Sequence, residues 1–335
     1  MKYRQTWAVT GIALGTFIGM AAHAQSASDE AAHLQWRDAI MEMETPGEGC
    51  YHAAYPEFVW QRVACTETLA RVHPVRRQPP AGEGQTTGNG HDYALQATGL
   101  ITKTVGNFPK VTGVTSEKGV GVALFGGGGI LGPNEFSLQI NTNANASTTA
   151  CHGHAGCVVW QQAVYAPDYA VSGVASVFFQ YWLIGYGSPC PSGWGDAGSG
   201  DCYKNSSIAS SLTDEPITDL ALMKLTATAS PGGNDKVTFS NGSFAESVTA
   251  KDSVLHIGTV WTESEFNVIG NAGGSRAKFN TGSSVTVHVA VNDGSTSAPT
   301  CAANAGTTGE SNNLNLGACT ASGGMMPSIK FTESN

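Results

Sequence analysis

The densest group of metal-type side chains in the sequence lies between Cys151 and Cys157, a loop that also contains His152 and His154. Thiolate and imidazole groups at this spacing are suitable zinc ligands. If the chain folds outside the reducing cytosol, however, two cysteines so close together are more typical of a disulfide that closes a small loop and leaves the histidines exposed. We therefore expect a disulfide here and no metal ion or other cofactor.

Signatures of the common hydrolases and nucleotide-binding proteins are missing. The sequence contains no Gly-x-Ser-x-Gly, no His-Glu-x-x-His, no Asp-Thr-Gly or Asp-Ser-Gly and no Gly-Lys-Ser/Thr loop. The run from Gly126 to Gly129 is better explained by a turn than by phosphate binding. Serine, zinc and aspartic hydrolases of the usual kinds are thereby excluded.

Four segments follow one another in the C-terminal two thirds of the chain. They are Val158-Val-Trp-Gln-Gln-Ala-Val164, Phe178-Phe-Gln-Tyr-Trp182, Thr226-Ala-Thr-Ala-Ser230 with a hairpin after it, and Thr262-Glu-Ser-Glu-Phe266. In this order they resemble the glutamic peptidases of the eqolisin family, over roughly residues 155 to 291. That family has an apolar strand ending in a catalytic glutamine, an aromatic strand, a Thr-Ala-Thr strand with a hairpin, and a segment holding the catalytic glutamate.

Residue by residue, Gln161 matches the glutamine of that family and Glu265 matches the glutamate. The sequence departs from the family in lacking the Gly-Ile-Asp element, in having Gln162 after Gln161, and in having Gln180 where the aromatic strand has glutamate. Asn134-Glu-Phe-Ser-Leu-Gln139 and the stretch from Tyr181 to Tyr203 are also similar to neprosin-type glutamic peptidases. Both resemblances imply the same reaction class.

The resemblance implies a secreted endopeptidase that acts on polypeptides in acid without a metal or cofactor. Glu265 would take a proton from water and later return it to the departing amine. The Gln161 amide would donate a hydrogen bond to the developing oxyanion. A carboxyl with a reference pKa of about 4.3 suits acid conditions. Weaker candidates for contacting the substrate are Trp160, Gln162, Tyr181 and Trp182.

Two other interpretations stay open at this point. Glu263 and Glu265 share one face of a strand, where charged side chains are most often simply solvated. A sandwich of this kind also serves as a carbohydrate- or surface-binding module or as an envelope protein, and fold alone does not fix function. Residues that could line a sugar site are Tyr165, Tyr169, Trp194 and Tyr203. A peptidase requires the Gln161 and Glu265 side chains to converge, whereas a lectin does not.

The N-terminus has the pattern of a signal peptide. Lys2 and Arg4 precede an apolar run that ends in Ala22-His23-Ala24, and the run is too short to span a bilayer. We expect cleavage after Ala24 and export to the extracellular space or periplasm, with no membrane anchor afterwards. Loss of the two basic residues takes the formal charge from -9 to about -11. An acidic chain without a basic stripe is an unlikely nucleic-acid partner, and we expect a monomer.

The cysteines support export, because all eight lie after the predicted cleavage site and their number is even. They fall into four local couples. Closing neighbours across short loops predicts the pairs Cys50–Cys65, Cys151–Cys157, Cys190–Cys202 and Cys301–Cys319.

Residues 25 to about 88 differ in composition from the rest. A short helix over 31–43 and an aromatic cysteine loop precede the linker Arg76-Arg77-Gln78-Pro79-Pro80, which predicts a small separate module. We expect it to be a propeptide, giving a zymogen in which Arg71, Arg76 and Arg77 cover a carboxylate-bearing cleft. The catalytic domain would then span 89–335.

Alternating apolar and polar residues dominate from about residue 91 onwards. The runs starting at Leu220 and Val285 switch faces at every residue, and Asn241-Gly242 is a strong hairpin signal. Further strands are expected at 96–105, 119–125, 135–141, 157–165, 174–185, 253–260, 263–269 and 275–279. About a dozen short strands joined by glycine-rich turns predict an all-β, antiparallel sandwich of the jelly-roll or concanavalin-like type.

Overall fold

The computed structural model describes residues 18–69, 71–74, 87 and 90–335. Within these ranges the chain folds as an antiparallel β-sandwich, which confirms the predicted fold class. No helix in the described part of the chain is long and apolar enough to cross a membrane. Most of the predicted signal peptide, residues 1–17, lies outside the described residues.

One α-helix, α1, spans Ile18–Ile40, beginning before the predicted helix and including the expected cleavage point. The strands in chain order are β1 (Gly49–Ala54), β2 (Gln61–Val63), β3 (Tyr93–Gln96), β4 (Lys103–Thr112), β5 (Glu117–Val120), β6 (Gly132–Pro133), β7 (Phe136–Thr142), β8 (Val158–Val171), β9 (Val174–Ile184), β10 (Gly195–Gly198), β11 (Asp201–Asn205), β12 (Ser210–Thr213), β13 (Lys224–Thr228), β14 (Asn234–Ser240), β15 (Phe244–Lys251), β16 (Glu263–Gly270), β17 (Arg276–Phe279), β18 (Ser284–Asn292), β19 (Thr300–Ala303), β20 (Ser311–Asn312), β21 (Asn315–Ser322) and β22 (Ser328–Ser334). Short 3-10 helices cover Ala123–Phe125, Thr149–Cys151, Ile217–Leu222, Asp252–Val254 and Ile257–Thr259.

These strands form three sheets. Sheet I has the order β2-β1-β15-β14-β13-β4-β18-β22-β21, and sheet II has the order β10-β11-β9-β8-β7-β16-β3-β19 with β12 also paired to β9. Sheet III is small and has the order β20-β17-β5-β6. Strands β7, β8, β9 and β16 lie next to one another in sheet II, so this sheet carries most of the segments that resemble the glutamic peptidases.

The core lies between sheets I and II. Along the strands that line it, every second side chain points into it, because successive residues of a strand face opposite sides of the sheet. The ring of Tyr165 on β8 stacks on Phe239 of β14 with centroids 4.0 Å apart, and Phe266 of β16 packs on Phe108 of β4 at 5.0 Å. A Cβ at Gly106 would lie 2.2 Å from the Phe266 ring. The close approach of the two sheets at this point therefore requires glycine on β4.

The N-terminal residues are not the separate module that composition predicts. Strand β1 pairs with β15 at six positions from Gly49↔Thr249 to Ala54↔Phe244, and so extends sheet I. Trp36 and Ile40 of α1 pack with Tyr51 in a small apolar cluster beside it. Without β1, strand β15 would be the edge of sheet I, and an edge strand offers unpaired backbone groups to a nearby strand. This explains why the segment joins the sheet. The predicted linker at residues 76–80 lies outside the described residues.

Sequence periodicity locates most strands correctly but fails around polar turns. The predicted strands at 135–141, 157–165, 174–185, 263–269 and 275–279, the run from Val285, and the hairpin after Ser240 are present. The predicted strand at 253–260 is wrong, because the Asp252 carboxylate accepts hydrogen bonds from Gly232 N and Gly258 N and two 3-10 turns form instead. Predictions at 96–105, 119–125 and Leu220 are only partly right, since a turn or a 3-10 helix interrupts each one.

All four predicted disulfides are confirmed. The bonded pairs are Cys50–Cys65, Cys151–Cys157, Cys190–Cys202 and Cys301–Cys319. All eight cysteines lie in the described residues, and each of them is paired. Four disulfides are typical of proteins that fold in an oxidising compartment.

Candidate functional site

Gln161 lies on the inner face of sheet II. Val159 and Tyr165, which share its parity on β8, belong to the main core. The Gln161 side chain faces Asp235 of β14, across the space between the sheets. Burial, followed by the nearby Asp252 carboxylate, raises the pKa of the Asp235 carboxyl well above its usual range. Gln161 therefore belongs to a polar group inside the sandwich.

Glu265 lies on the opposite, outer face of the same sheet. On β16 it is Phe266 and Val268 that enter the core, so alternation turns Glu265 and Asn267 away from it. The expected convergence of the Gln161 and Glu265 side chains is therefore wrong. The reason is parity, because a shift of one residue along a strand moves a side chain to the other face of the sheet.

Gln162, rather than Gln161, shares a face with Glu265. Cross-strand pairing joins a continuous row of polar residues, here called the polar row, which consists of Glu265, Asn141, Gln162, Gln180 and Asn205. Neighbouring strands lie about 4.8 Å apart, so the backbones of Glu265 and Gln162 are separated by about 10 Å with Asn141 between them. The outer face thus brings together one carboxyl group and four side-chain amides.

Hydrogen bonds hold the amides of the polar row in fixed orientations. The Trp182 indole Nε1 donates to Gln162 Oε1 at 3.0 Å and to Gln180 Oε1 at 3.1 Å. Gln162 Nε2 donates to Gln139 Oε1 at 3.0 Å. Gln139 lies on β7 two residues before Asn141 and therefore on the same face. Asn141 Nδ2 donates to Glu265 Oε2 at 3.2 Å. Gln162, Gln180 and Asn141 are therefore oriented by contacts within the sandwich.

The Glu265 carboxyl is almost fully buried, with 2% of the residue exposed. Burial raises its pKa above the usual range, and hydrogen bonds from Thr307 and Asn141 partly oppose this effect. Thr307 N and Thr307 Oγ1 each donate to Glu265 Oε2 at 2.8 Å. Within the described residues, Glu265 Oε1 has no hydrogen-bond partner. One oxygen is thus anchored and the other is left for a proton or a water molecule.

Three further carboxyl groups surround Glu265. Asn267 Nδ2 donates to Asp92 Oδ2 at 3.0 Å and to Glu333 Oε2 at 3.4 Å. Burial, then the charges of Glu265 and Glu333, raise the pKa of Asp92 well above its usual range. Burial also raises the pKa of Glu333 to about 8, and burial together with Glu265 raises that of Glu263 to about 7. This group of carboxyls retains protons well above the pH at which free carboxyls ionise.

A loop of residues 304–309 covers Glu265. A Cβ at Gly306 would lie 3.0 Å from Glu265 Oε1 and 3.0 Å from Asp92 Cβ, so the loop is in close contact with both acids. The Cys301–Cys319 disulfide closes the chain on either side of this loop. Water or a peptide bond reaches Glu265 only if the loop moves.

A short piece of the N-terminal region, Arg71–Pro74, lies on the outer face of sheet II and is called here the covering segment. The Gln180 amide bonds its backbone twice, since Gln180 Nε2 donates to Arg71 O at 2.8 Å and His73 N donates to Gln180 Oε1 at 2.7 Å. The Tyr169 hydroxyl also donates to Arg71 O, at 2.9 Å. A residue of the polar row thus binds the backbone of an extended peptide.

The covering segment also touches the loops around the site. Gly273 N donates to Val72 O at 2.7 Å, and Gly309 N donates to Pro74 O at 2.7 Å. Because Gly309 ends the loop that covers Glu265, the segment and the loop hold each other in place. Arg71 contributes through its backbone carbonyl, and the other two arginines predicted to cover the cleft lie outside the described residues.

A cavity of about 750 Å³ continues along the covering segment. Its lining includes Val72 and Pro74 of the covering segment together with Phe125, Trp182 and Asp196. The outer face therefore has room for more of an extended chain than the four residues that lie on it.

The weaker candidates divide between the two faces of sheet II. Trp160 and Trp182 lie opposite each other on the outer face with the polar row, whereas Tyr181 points into the core beside Asp235. Two of the aromatic residues considered for a sugar site, Tyr165 and Tyr169, are fully buried, so these residues do not form an exposed sugar-binding surface.

The two histidines considered as zinc ligands lie in the loop closed by the Cys151–Cys157 disulfide, so no thiolate is available to a metal there. The His154 ring stacks on Tyr186 with centroids 3.8 Å apart. Among the described residues no group of three or more potential ligands is placed to hold a metal ion.

Several residues of the site were not identified from the sequence. Gln139 and Asn141 alternate with buried apolar residues on β7, and this pattern places two amides on the face opposite the core. That signal was available in the sequence. Asp92, Thr307 and Glu333, by contrast, come from distant parts of the chain, and only the fold brings them to Glu265.

The outer face of sheet II can hold an extended peptide by its backbone and place a carboxyl group near it. Such a face combines preorganised amide donors with a group of proton-retaining carboxyls, which is a suitable setting for acid–base chemistry on a peptide bond. Comparisons of the chain with protein-family models, with curated proteins and with solved structures return no match.

Proposed function

We propose that the chain is an exported endopeptidase that works in acid, with Glu265 as the general base and the amides of the polar row as substrate and oxyanion donors. The observation that carries this proposal is the covering segment, whose backbone is hydrogen-bonded to Gln180, Gly273 and Gly309. A polypeptide already lies on this face in the manner expected of a substrate. Export follows from the predicted signal peptide and the four disulfides.

In the proposed reaction, ionised Glu265 removes a proton from a water molecule as that water attacks the scissile carbonyl carbon. The electrons of the carbonyl move to its oxygen, which receives a hydrogen bond from a side-chain amide. In this proposal Gln162 of the polar row supplies that amide, the role that the family resemblance implies for Gln161. When the intermediate collapses, protonated Glu265 gives its proton to the departing amine.

The described state is latent in this proposal. The covering segment blocks the outer face, and its hydrogen bond from Gly309 stabilises the loop that buries Glu265. Removing the N-terminal region frees both, which lets water reach the carboxyl. Solvation then lowers the pKa of Glu265, because burial is the largest cause of its rise. The base becomes ionised in the acid range only in the open state.

The test is degradation of a denatured protein by the secreted chain, allowed to process in acid and assayed between about pH 2 and 8 with pepstatin and a chelator present. We expect Glu265→Gln to lower turnover by about 10²- to 10⁴-fold, the usual contribution of a positioned acid–base group. The substitution is nearly isosteric, so the fold should persist.

Glu263→Gln is the matched control, because Glu263 lies two residues away on the same face of β16 and also has a raised pKa. It should retain near wild-type turnover. Equal activity of wild type and Glu265→Gln would reject the peptidase mechanism. Loss in both variants would instead indicate a general effect of charge on this face.

A further inference from the structure

The imidazole of His73 fills a closed pocket in the outer face of sheet II. The residue has 0% exposed surface. Its Nδ1 lies 3.1 Å from Gln139 Nε2 and 3.5 Å from Glu310 Oε1. The ring is parallel to that of Tyr169, with an interplanar angle of 15° and centroids 6.0 Å apart, and Phe178 lies at the same distance. The pocket therefore has two polar groups at one end and two aromatic walls.

Other contacts hold the polar end of this pocket in place. Glu310 Oε1 accepts a hydrogen bond from Gly274 N at 3.1 Å, and its other oxygen accepts one from Thr308. Gln139 is fixed by Ser137, whose Oγ accepts from Gln139 Nε2 at 3.0 Å. None of these contacts involves the N-terminal region. The pocket is thus a property of the sandwich, and His73 is its occupant.

We propose that this pocket is a side-chain subsite that selects a histidine of the polypeptide substrate, an inference that rests on the proposed function. The ring nitrogen Nδ1 accepts from Gln139 Nε2 in one tautomer, and carries a proton and donates to Glu310 Oε1 in the other, so the pocket recognises a ring nitrogen through one of these two groups at a time. Tyr169 and Phe178 admit a flat ring. A phenylalanine at this position would fill the space, but Glu310 and Gln139 would be buried against its ring without a hydrogen bond to it. An alanine would also leave both groups without a hydrogen bond to the side chain, and would leave a cavity.

The positions on either side of the histidine are less restricted. In an extended chain alternate side chains point in opposite directions, and Val72 and Pro74 border the cavity of about 750 Å³ rather than a closed pocket. We therefore expect one selective position flanked by two permissive ones. Loss of a buried polar contact costs about 1–3 kcal/mol, so the expected discrimination is on the order of 10- to 100-fold.

The first experiment uses the full chain and needs no catalysis. Hydrogen exchange is measured at the amides of Gly273 and Gly309, which donate to the covering segment. We expect His73→Ala and His73→Phe to speed exchange there by about 10- to 100-fold, and Glu310→Gln to do so without altering the volume of the pocket. The control is His288→Ala, a histidine on sheet I that contacts Asn107. Unchanged exchange in the His73 and Glu310 variants would overturn the proposal.

The second experiment uses the acid-processed chain and peptides that copy residues 69–76, with histidine, phenylalanine, alanine or lysine at the fifth position. We expect the histidine peptide to have the highest kcat/KM, and Glu310→Gln to reduce that preference, measured as the ratio of kcat/KM for the histidine peptide to that for the alanine peptide. Cleavage without discrimination would overturn the subsite and leave the peptidase intact. If no peptide or protein is cleaved but the exchange results hold, the peptidase fails and the pocket stands as a histidine-binding site.

Discussion

Two adjacent glutamines show how differently the two faces of sheet II behave. Gln161 points into the sandwich, where it meets Asp235 of the opposite sheet and is shielded from any substrate. Gln162 points outward, where it lies in the polar row with Glu265. In the proposed mechanism, one residue of register separates a structural role from a functional one. The inner polar group affects stability, whereas the outer one is placed to affect chemistry.

The largest expected effect is the complete absence of peptidase activity while the covering segment remains on the outer face. If the covering segment keeps this face latent, secreted chain that still begins at Gln25 should have no peptidase activity. Active material should begin near residues 78 to 92. N-terminal sequencing of separated active and inactive fractions measures this directly. Active enzyme that still carries Arg71–Pro74 would show that the segment does not block the site.

The next effect distinguishes the two glutamines themselves. We expect Gln162→Ala to lower turnover per folded molecule by about 10²- to 10³-fold, the usual loss for one oxyanion-hole donor. It should also lower Tm, because buried Trp182 Nε1 and Gln139 Oε1 each lose a hydrogen-bond partner. Gln161→Ala should lower Tm, because it leaves a cavity beside a buried carboxyl, and should leave turnover per folded molecule near wild type. Steady-state kinetics and thermal scans on both variants provide the comparison. The opposite result would restore Gln161 to the site and reject the face assignment.

A smaller expected effect is a fall in stability as the pH rises, to which buried carboxyls at the outer face of sheet II and inside the sandwich both contribute. Buried carboxyls with raised pKa bind protons more tightly in the folded state, so their contribution to stability is complete below about pH 4.5 and is lost as the pH rises through the folded pKa. For Glu333 on the outer side that pKa is about 8, and Asp235 inside is shifted in the same direction. The free energy of unfolding should therefore fall between about pH 4.5 and 8, by on the order of a few kcal/mol.

Single variants sharpen this pH prediction. Glu333→Gln and Asp235→Asn each replace a group that titrates by one that does not, so each should flatten the decline in Tm. Glu57→Gln is the control, because that side chain is exposed in the folded chain. Stability that rises from acid to neutral pH in the wild type would contradict the proton-retaining state of these groups.

Local pattern was sufficient for much of the fold. Patterning along β7, β8, β9, β16 and β18 predicts strands, because a side-chain period of two is visible without any knowledge of partners. Short separations along the chain likewise limit which cysteines can meet. The pattern failed where a side chain captured backbone amides, as Asp252 does between two 3-10 turns.

The sequence alone determined that the chain is an antiparallel sandwich with four local disulfides, and it singled out Glu265. Only the tertiary structure decided which glutamine lies on the same face as Glu265. Alternation shows which residues of one strand share a face, but the pairing with other strands and sheets decides which face is buried in the core. Tertiary structure also brought Asp92, Glu333 and His73 to the outer face from distant parts of the chain. Such long-range contacts have no local signature, since they depend on how the two sheets pack and which segment covers them.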